Sequence, residues 1–353
     1  MSLILAGDIG GTKTRLRILK TEDYIGQFVP KQTVIHEKKY CSRDYPDLSP
    51  LVKSFLEECW QLDGKTYPID KACFGIAGPV VRETCELTNL SWSLGSDRLA
   101  RELSIPTIKL INDFTAVGYG LLGLEADDLY DLQYIKPDLN TPIALLGAGT
   151  GLGQGFLTPL PGGGYQVFGS EGSHADFAPR SAIEYDLLNY LLEKLELERL
   201  SVERVVSGNG IINIYRFLRD RYPQKESPAM NEYFQAWFNQ QGQPHPTIDL
   251  AGKISKSAMQ EKDPLCQETM KIFMSAYGAE AGNLALKILP YGGLYIAGGI
   301  APKIISLFTE EDFMSSFLAK GRLRPVLEKI PVKIVLNSQV GLIGAGLCAG
   351  LSR

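Results

Sequence analysis

The chain has 353 residues, 44% of them hydrophobic and 22% charged, with a formal net charge of −4. That length suits two domains and that composition an ordinary globular protein. The slightly acidic balance leaves no electrostatic footprint for nucleic acid, no basic amphipathic run points to a membrane surface, and no stretch approaches the roughly 20 apolar residues of a membrane span.

Met1–Gly7 lacks the basic start and long apolar stretch of a signal peptide, so a cytoplasmic protein is expected. Leu3–Ala6 reads as a strand, Gly10 and Gly11 as a turn, and Arg15–Leu19 as a second strand. Residues 48–62 are expected to be helical, because Leu48, Leu51, Val52, Phe55, Leu56 and Cys59 recur at helical spacing. Short buried strands follow at Lys71–Ala77 and Ile108–Ile111, the second leading into a helix over Phe114–Leu122. After a charged connection, Ile143–Leu146 reads as a strand that runs into the glycine-rich segment Gly147–Gly153. Helices are expected over 181–197, 208–220 and 265–289. Gly293–Ala297 is a strand ending at Gly298 and Gly299, and the last helix, about 339–351, is rich in Gly and Ala and should pack closely. The stretch 222–247 places Tyr233, Phe234, Trp237 and Phe238 among Pro223, Pro228, Pro244 and Pro246. It reads as a surface excursion with one short helix packed by its aromatics.

The six cysteines (Cys41, Cys59, Cys73, Cys85, Cys266 and Cys348) include no C-x-x-C pair. Reduced, mostly buried thiols are expected, without a disulfide framework or a zinc site. Of the three histidines, His36 and His245 read as structural.

The turns at Gly7–Thr12 and Gly147–Gly153 each follow a strand and precede residues of strand character. Two such hairpins suggest two α/β domains of related build. Glycine lets bare backbone N–H groups approach phosphate oxygens, although a single turn of this kind is equally a tight hairpin with no ligand. A Walker loop is excluded because Thr12, not Gly, precedes Lys13 and Thr14. The dinucleotide pattern is excluded because Leu152 occupies its third glycine position and neither turn opens a helix. A phosphate-binding β-hairpin remains, with the Thr12 hydroxyl at its tip. Asp8 at the strand end is suited to the hydrated Mg²⁺ that accompanies ATP. A third turn at Gly298 and Gly299 suits the flat approach of an adenine or ribose.

Asn112 and Asp113 lie between a buried strand and a helix. Either one fits a helix N-cap, but a cap needs one such residue and no further acid follows to complete a capping box. Asp113 would stand at the carboxyl end of a strand, where open α/β folds bind ligands. There it could accept the proton of a sugar hydroxyl attacking a γ-phosphate. Glu171 and His174, three residues apart with Gly172 between, can face one cavity and meet vicinal hydroxyls. Glu203, read from its own surroundings, belongs to a helix N-terminus capped by Ser201 and is structural.

In order along the chain, Leu5–Thr12, Ile111–Val117, Leu146–Gly153, Glu171–Pro179, Ser201–Gly208 and Gly293–Ile300 resemble blocks of the bacterial glucokinase family. That family lies within the sugar kinase, actin and heat-shock ATPase fold. The resemblance covers nearly the whole chain. It implies an α/β, two-domain actin-like ATPase (ribonuclease H-like) fold with an interdomain cleft. The smaller domain would be 1–112 plus 337–353 and the larger 113–336, with domain closure excluding water. It further implies transfer of the ATP γ-phosphoryl to the 6-hydroxyl of D-glucose, feeding glycolysis. Asp113 would be the base. Asn112, Asp113, Glu171, His174 and Glu203 would bind sugar. Gly7, Asp8, Ile9, Gly10, Gly11, Thr12, Gly149, Thr150 and Gly298 would hold ATP, with Mg²⁺ at Asp8 through water. Homodimers are common in such enzymes. Lys13 departs from the Asn of many glucokinases, although Lys is common in the related repressor-and-kinase family. The cysteine-rich zinc loop of that related family is missing after His174, and the excursion at 222–247 is longer than usual. A kinase for another hexose is the alternative, with Gly75–Pro79 and Thr88–Trp92 as candidate walls for specificity. A sugar-sensing regulator would need an N-terminal helix-turn-helix, for which a strand starting near Leu3 leaves no room.

Overall fold

A computed structural model describes residues 2–22, 29–87, 90–243, 247–308 and 310–351. The chain opens with strands β1 (Ser2–Ile9), β2 (Lys13–Thr21) and β3 (Gln32–Cys41), then helix α1 (Leu48–Asp63) and strand β4 (Lys71–Ile76). A hairpin of β5 (Thr84–Leu87) and β6 (Trp92–Gly95) precedes helix α2 (Ser96–Leu103), strand β7 (Thr107–Asn112) and helix α3 (Asp113–Leu121). Strands β8 (Leu129–Gln133), β9 (Ile143–Ala148), β10 (Leu152–Pro159) and β11 (Tyr165–Ser170) follow. Helices α4 (Ala182–Lys194), α5 (Gly208–Arg221), α6 (Pro228–Phe238), α7 (Leu250–Lys256) and α8 (Pro264–Ile288) come next. Strand β12 (Leu294–Ala297), the four-residue helices α9 (Ser315–Leu318) and α10 (Arg324–Leu327), strand β13 (Val332–Val335) and helix α11 (Val340–Leu351) complete the chain. Two compact units result: Met1–Leu129 with Gly155–Gly169 and Leu336–Arg353, and Tyr130–Gln154 with Ser170–Val335.

In the first unit the strand order is β3-β2-β1-β4-β7. β1 pairs antiparallel with β2 and parallel with β4, and β4 is parallel to β7. Successive side chains of β1 point to opposite faces, and both faces are buried. Leu5 and Ile9 join Leu48, Leu51, Val52 and Phe55 of α1 in one core, whereas Ile4 and Ala6 join Leu342, Ala345, Cys348 and Ala349 of α11 in another. α1 starts where Asp47 accepts a hydrogen bond from the Leu48 N–H (2.7 Å), and it stops at Gly64, whose φ of 69° needs no Cβ penalty. The close packing expected of the last helix is present. At Gly344 a Cβ would stand 1.7 Å from the Ala116 carbonyl oxygen of α3, and at Gly120 one would stand 2.0 Å from that of Val340.

The second sheet, whose β9, β12 and β13 lie in the second unit, has the order β11-β10-β9-β12-β13-β8, with β12 parallel to both β9 and β13. The first five strands repeat the order of the first sheet: three strands consecutive in the chain, then two that are parallel. The expectation of two α/β bodies of related build is met. α8 forms the centre of this unit, capped by Asp263 and started by Pro264. On it, Tyr277 is fully buried, and its hydroxyl accepts a hydrogen bond of 3.1 Å from the Ala148 N–H at the end of β9. The Tyr277→Phe variant leaves that N–H buried and unpaired. A loss of about 1–3 kcal/mol in urea unfolding is expected, and an unchanged midpoint would refute this role.

The excursion carries one helix, α6, as expected, with Met230 and Phe234 buried beneath it. Phe234 packs on Trp237 and Tyr215, and the Arg219 guanidinium lies 4.3 Å from the Phe234 ring centre. His245, read as structural, lies outside the described residues. His36 is held at the surface by Asp63 and Tyr67, each 3.1 Å from its Nε2, which fits its structural reading. Cys41 is exposed and the other cysteines are buried. Among the described residues, no helix is long and apolar enough to cross a membrane.

Candidate functional site

In the first unit the candidate residues gather at the carboxyl ends of β1, β4 and β7. Asp8 of β1 is in register with Gly75 of β4, and Ile76 with Asn112 of β7. Gly75 permits this closeness: a Cβ there would stand 2.9 Å from that of Ala116 on α3. Of the two candidates for the helix cap, Asn112 takes the role. Its Oδ1 accepts from the N–H groups of Phe114 (2.9 Å) and Thr115 (3.3 Å), and its Nδ2 donates to the Gly78 carbonyl (3.1 Å). Asp113, the first residue of the helix, shares one of these donors, its Oδ1 accepting at 2.9 Å from the Phe114 N–H.

Burial pushes the Asp113 carboxyl up to about 6, and the neighbouring Asp8 charge adds to the rise, against the Phe114 hydrogen bond that lowers it. Asp8 reaches solvent. Even so, enough of the chain surrounds its carboxyl that desolvation raises it, and Arg15 pulls it back.

The turn at Gly10–Lys13 is tied by its own backbone and by Ser42. Gly10 N–H donates to the Lys13 carbonyl (3.0 Å), and the Ser42 hydroxyl donates to the Gly10 carbonyl (2.7 Å). Thr12 and Lys13 are left exposed at the tip. Gly7 is a packing glycine, since a Cβ would come within 2.5 Å of the Phe74 ring, and Ile9 is core.

In the second unit the turn after β9 is closed by Gly149 N–H donating to the Gly151 carbonyl (2.8 Å). The Gly149 carbonyl accepts from Gly208 N–H (2.8 Å) at the start of α5. Gly149, Thr150, Gly208, Gly299 and Ile300 line one side of a pocket of about 550 Å³. Its other walls are Ile211, Asp249, Ala251, Gly252, Ser255, Lys256, Met259, Lys303 and Ile304. The two glycines after β12 divide the work. Gly298, at φ 85°, closes on β9, where a Cβ would stand 2.4 Å from the Ala148 oxygen, while Gly299 faces the pocket. The pocket wall from Asp249 to Met259 was not legible in the sequence, because α7 carries no phosphate-type motif and reaches the turn only through the tertiary fold.

Glu203 corrects the reading made from its local sequence. Ser201 makes no capping bond, and Val202–Arg204 is a single 3-10 turn. The helix begins later, at Gly208, where Ser207 caps it. The Glu203 Oε2 accepts from the Leu152 N–H (2.9 Å), and it fills the space over Gly151, where a Cβ would meet it at 2.5 Å. Glu203 therefore joins the glycine turn to this segment. With His174 it lines a second pocket of about 370 Å³, together with Glu196–Arg199, Ser201 and Arg204. His174 Nε2 and Glu171 Oε2 are 3.7 Å apart, and both side chains are exposed. The structure thus gathers Asp8, Asn112 and Asp113 in the first unit. In the second it gathers Gly149, Thr150 and Gly298 with Glu203, and Glu171 with His174. Of the expected walls, Gly78 contacts Asn112, whereas Thr88 and Asn89 lie outside the described residues.

Residues 5–351 match the family model described as Glucokinase. A curated relative from Nostoc punctiforme, named Glucokinase, is 55% identical over 349 residues, covering 99% of each chain. The crystal structure of a glucokinase from an Antarctic psychrotroph aligns over 100% of both chains with a TM-score of 0.80 and 26% identity. That of Balamuthia mandrillaris glucokinase in complex with glucose aligns over 99% of this chain and 93% of its own, with a TM-score of 0.73 and 25% identity.

Proposed function

The chain belongs to the glucokinase family, and from that premise we propose that it phosphorylates D-glucose at the 6-hydroxyl with ATP, releasing ADP. It is a hexose kinase of the two-domain actin-like ATPase fold. The observation that carries the proposal is Asp113. It is a half-buried carboxyl just past a strand end, beside the Asn112 cap, and raised to about 6 by burial and by Asp8. A base with that affinity is mostly ionised at neutral pH, yet basic enough to take the hydroxyl proton as the O–P bond forms. With a loose phosphoryl transition state, much of its work is to orient the attacking oxygen.

Asn112, Glu171, His174 and Glu203 bind the remaining sugar hydroxyls. The turn at Gly10–Thr12, after Gly7 to Ile9 of β1, holds phosphates. The 550 Å³ pocket beside Gly149 and Thr150, with its apolar wall of Ile211, Ile300 and Ile304, suits the nucleoside, and Gly298 lets the neighbouring turn close on β9. Mg²⁺, when bound, supplies neutralisation of phosphate charge. Asp8 fits a position beside it, because its carboxylate reaches solvent. Among the described residues, no cluster of three or more His, Cys, Asp or Glu groups could cage a metal. One carboxylate suits an ion that keeps waters and takes its other ligands from the phosphates.

The test is a panel of hexoses with purified protein, ATP and Mg²⁺, read by ADP release. Glucose is expected to give the highest kcat/KM, and preference for another hexose would move the assignment to that sugar. A cytoplasmic homodimer feeding glycolysis completes the proposal, on the strength of the family resemblance. Light scattering checks the dimer.

A further inference from the structure

A chain of buried polar groups in the second unit ends beneath the Glu171–His174 segment. The Lys320 ammonium donates to the Asn283 Oδ1 (2.6 Å) and to the Ala279 carbonyl (3.1 Å). The Asn283 amide donates to Glu280 Oε2 (3.1 Å), and the Gln154 amide donates to Glu280 Oε1 (2.8 Å). Gln154 is 3% exposed and Glu280 6%. At its near end, the Gln154 side-chain oxygen lies against Gly172, where a Cβ would come within 2.4 Å of it.

Burying a carboxylate is costly unless donors surround it, and here every link is satisfied. The loop above presents the opposite picture. Glu171 and His174 are exposed, 77% and 55% by side chain, while Ser173 between them is buried at 3%. The segment is a single 3-10 turn, closed by the Ala175 N–H donating to the Gly172 carbonyl (3.0 Å). A turn this short is held by what surrounds it. Ser170 Oγ accepts from the Gly172 N–H (3.0 Å), Arg199 donates to the His174 carbonyl (2.8 Å), and the Val202 N–H donates to the Ala175 carbonyl (2.9 Å). From below, the Gln154 side chain, fixed in turn by Glu280, lies against Gly172.

We infer that Gln154, held by the Glu280–Asn283–Lys320 chain, is a positioning residue for the sugar-binding loop Glu171–His174. It touches no substrate and acts through Gly172. Glycine at 172 is required by this contact, since a Cβ would meet the Gln154 oxygen at 2.4 Å. The inference rests on the reading of Glu171 and His174 as sugar ligands.

Gln154→Leu keeps much of the bulk and removes the amide. It is expected to raise the KM for glucose about tenfold, since a small misplacement of binding groups has a large effect, while the KM for ATP and kcat stay within about twofold. The swap Gln154→Glu with Glu280→Gln restores the hydrogen bond with its direction reversed, and the new α8 amide oxygen still accepts from Asn283. It should bring the KM for glucose back to within about threefold of wild type. A glucose KM unmoved in Gln154→Leu, or a swap no better than the single variant, would overturn the inference.

If Gln154→Leu fails to fold, Gly172→Ala is compared in the wild-type and Gln154→Ala backgrounds. The added carbon collides with Gln154 in the first and finds room in the second, so its effect on the glucose KM should shrink there. Equal effects would overturn the inference. Wild-type turnover of glucose is measured first, and its absence strikes the proposed function. Normal wild-type kinetics with an unmoved KM in the variants strikes this inference alone. A Glu171→Ala enzyme with an unchanged sugar KM overturns the reading of the loop, and the inference with it.

Discussion

In the Asp113→Asn enzyme, kcat is expected to fall by about 10²- to 10⁴-fold, the usual contribution of a positioned general base, with the KM for ATP little changed. The amide keeps an acceptor for the Phe114 N–H, so the start of α3 is preserved. Turnover near the wild-type value would sink the assignment of Asp113 as base. The wild-type pH profile follows from the same group. With its carboxyl at about 6, kcat/KM should fall about tenfold per pH unit below that value and be level above it.

Stability moves in the opposite direction to activity. A carboxyl raised in the folded state binds its proton more tightly there than when unfolded. Stability is therefore lost as pH rises from the unfolded value, 3.8, through about 6, and stays at that reduced level above. Asp113→Asn removes this effect. The variant should melt a few degrees higher than wild type at pH 8, and the gain should vanish near pH 4. A melting temperature below that of wild type at pH 8 would show that burial of Asp113 is not the cause of its raised pKa. The site thus holds a charge that folding alone would not favour, a common mark of function.

The second large effect concerns the helix on which Asp113 stands. Gly344→Ala places a carbon 1.7 Å from the Ala116 carbonyl oxygen and 2.5 Å from the Gly120 nitrogen. Both obstacles are backbone, so no rotamer change relieves them, and α11 must move off α3. A loss of about 3 kcal/mol or more is expected in denaturant unfolding. Asp113 is in the first turn of α3, three residues before Ala116, so kcat should fall as well. Gly341→Ala on the same helix is the control. Its carbon would meet Val117 at an ordinary 3.9 Å, and alanine favours helix over glycine by about 0.5–1 kcal/mol. Gly341→Ala should therefore be neutral or stabilising. A Gly344→Ala protein as stable as this control would refute the close-packing argument.

These two cases show where local sequence suffices. Strands and helices with a strong pattern were legible: β1, β4, β7, β9 and the long helices α1, α5 and α8 appear within a few residues of their expected limits. Their periodicity arises from burial against a neighbouring layer, and that leaves a trace in the sequence. Among the elements missed, three have a weak pattern for a physical reason. β3 is an edge strand with Glu37, Lys38 and Lys39 exposed, so it lacks an apolar run, and its charges discourage further pairing. α7 and β13 are short, and their burial comes from partners distant in the chain.

The sequence by itself pointed to the kinase family through its ordered glycine turns and acidic segments, and to Asp8, Asp113, Glu171 and His174 as candidate chemical groups. Chemistry at these positions depends on residue type and order, which sequence records directly. Only the structure decided that Asn112 caps α3: the two side chains share the Phe114 N–H, and Asn112 also takes that of Thr115. Only it joined Glu203 to Leu152, raised the Asp113 carboxyl through burial and the Asp8 charge, and set Gln154 beneath Gly172. Each of these depends on distances between segments far apart in the chain. Such distances are fixed when the sheets and helices pack, and no local pattern encodes them.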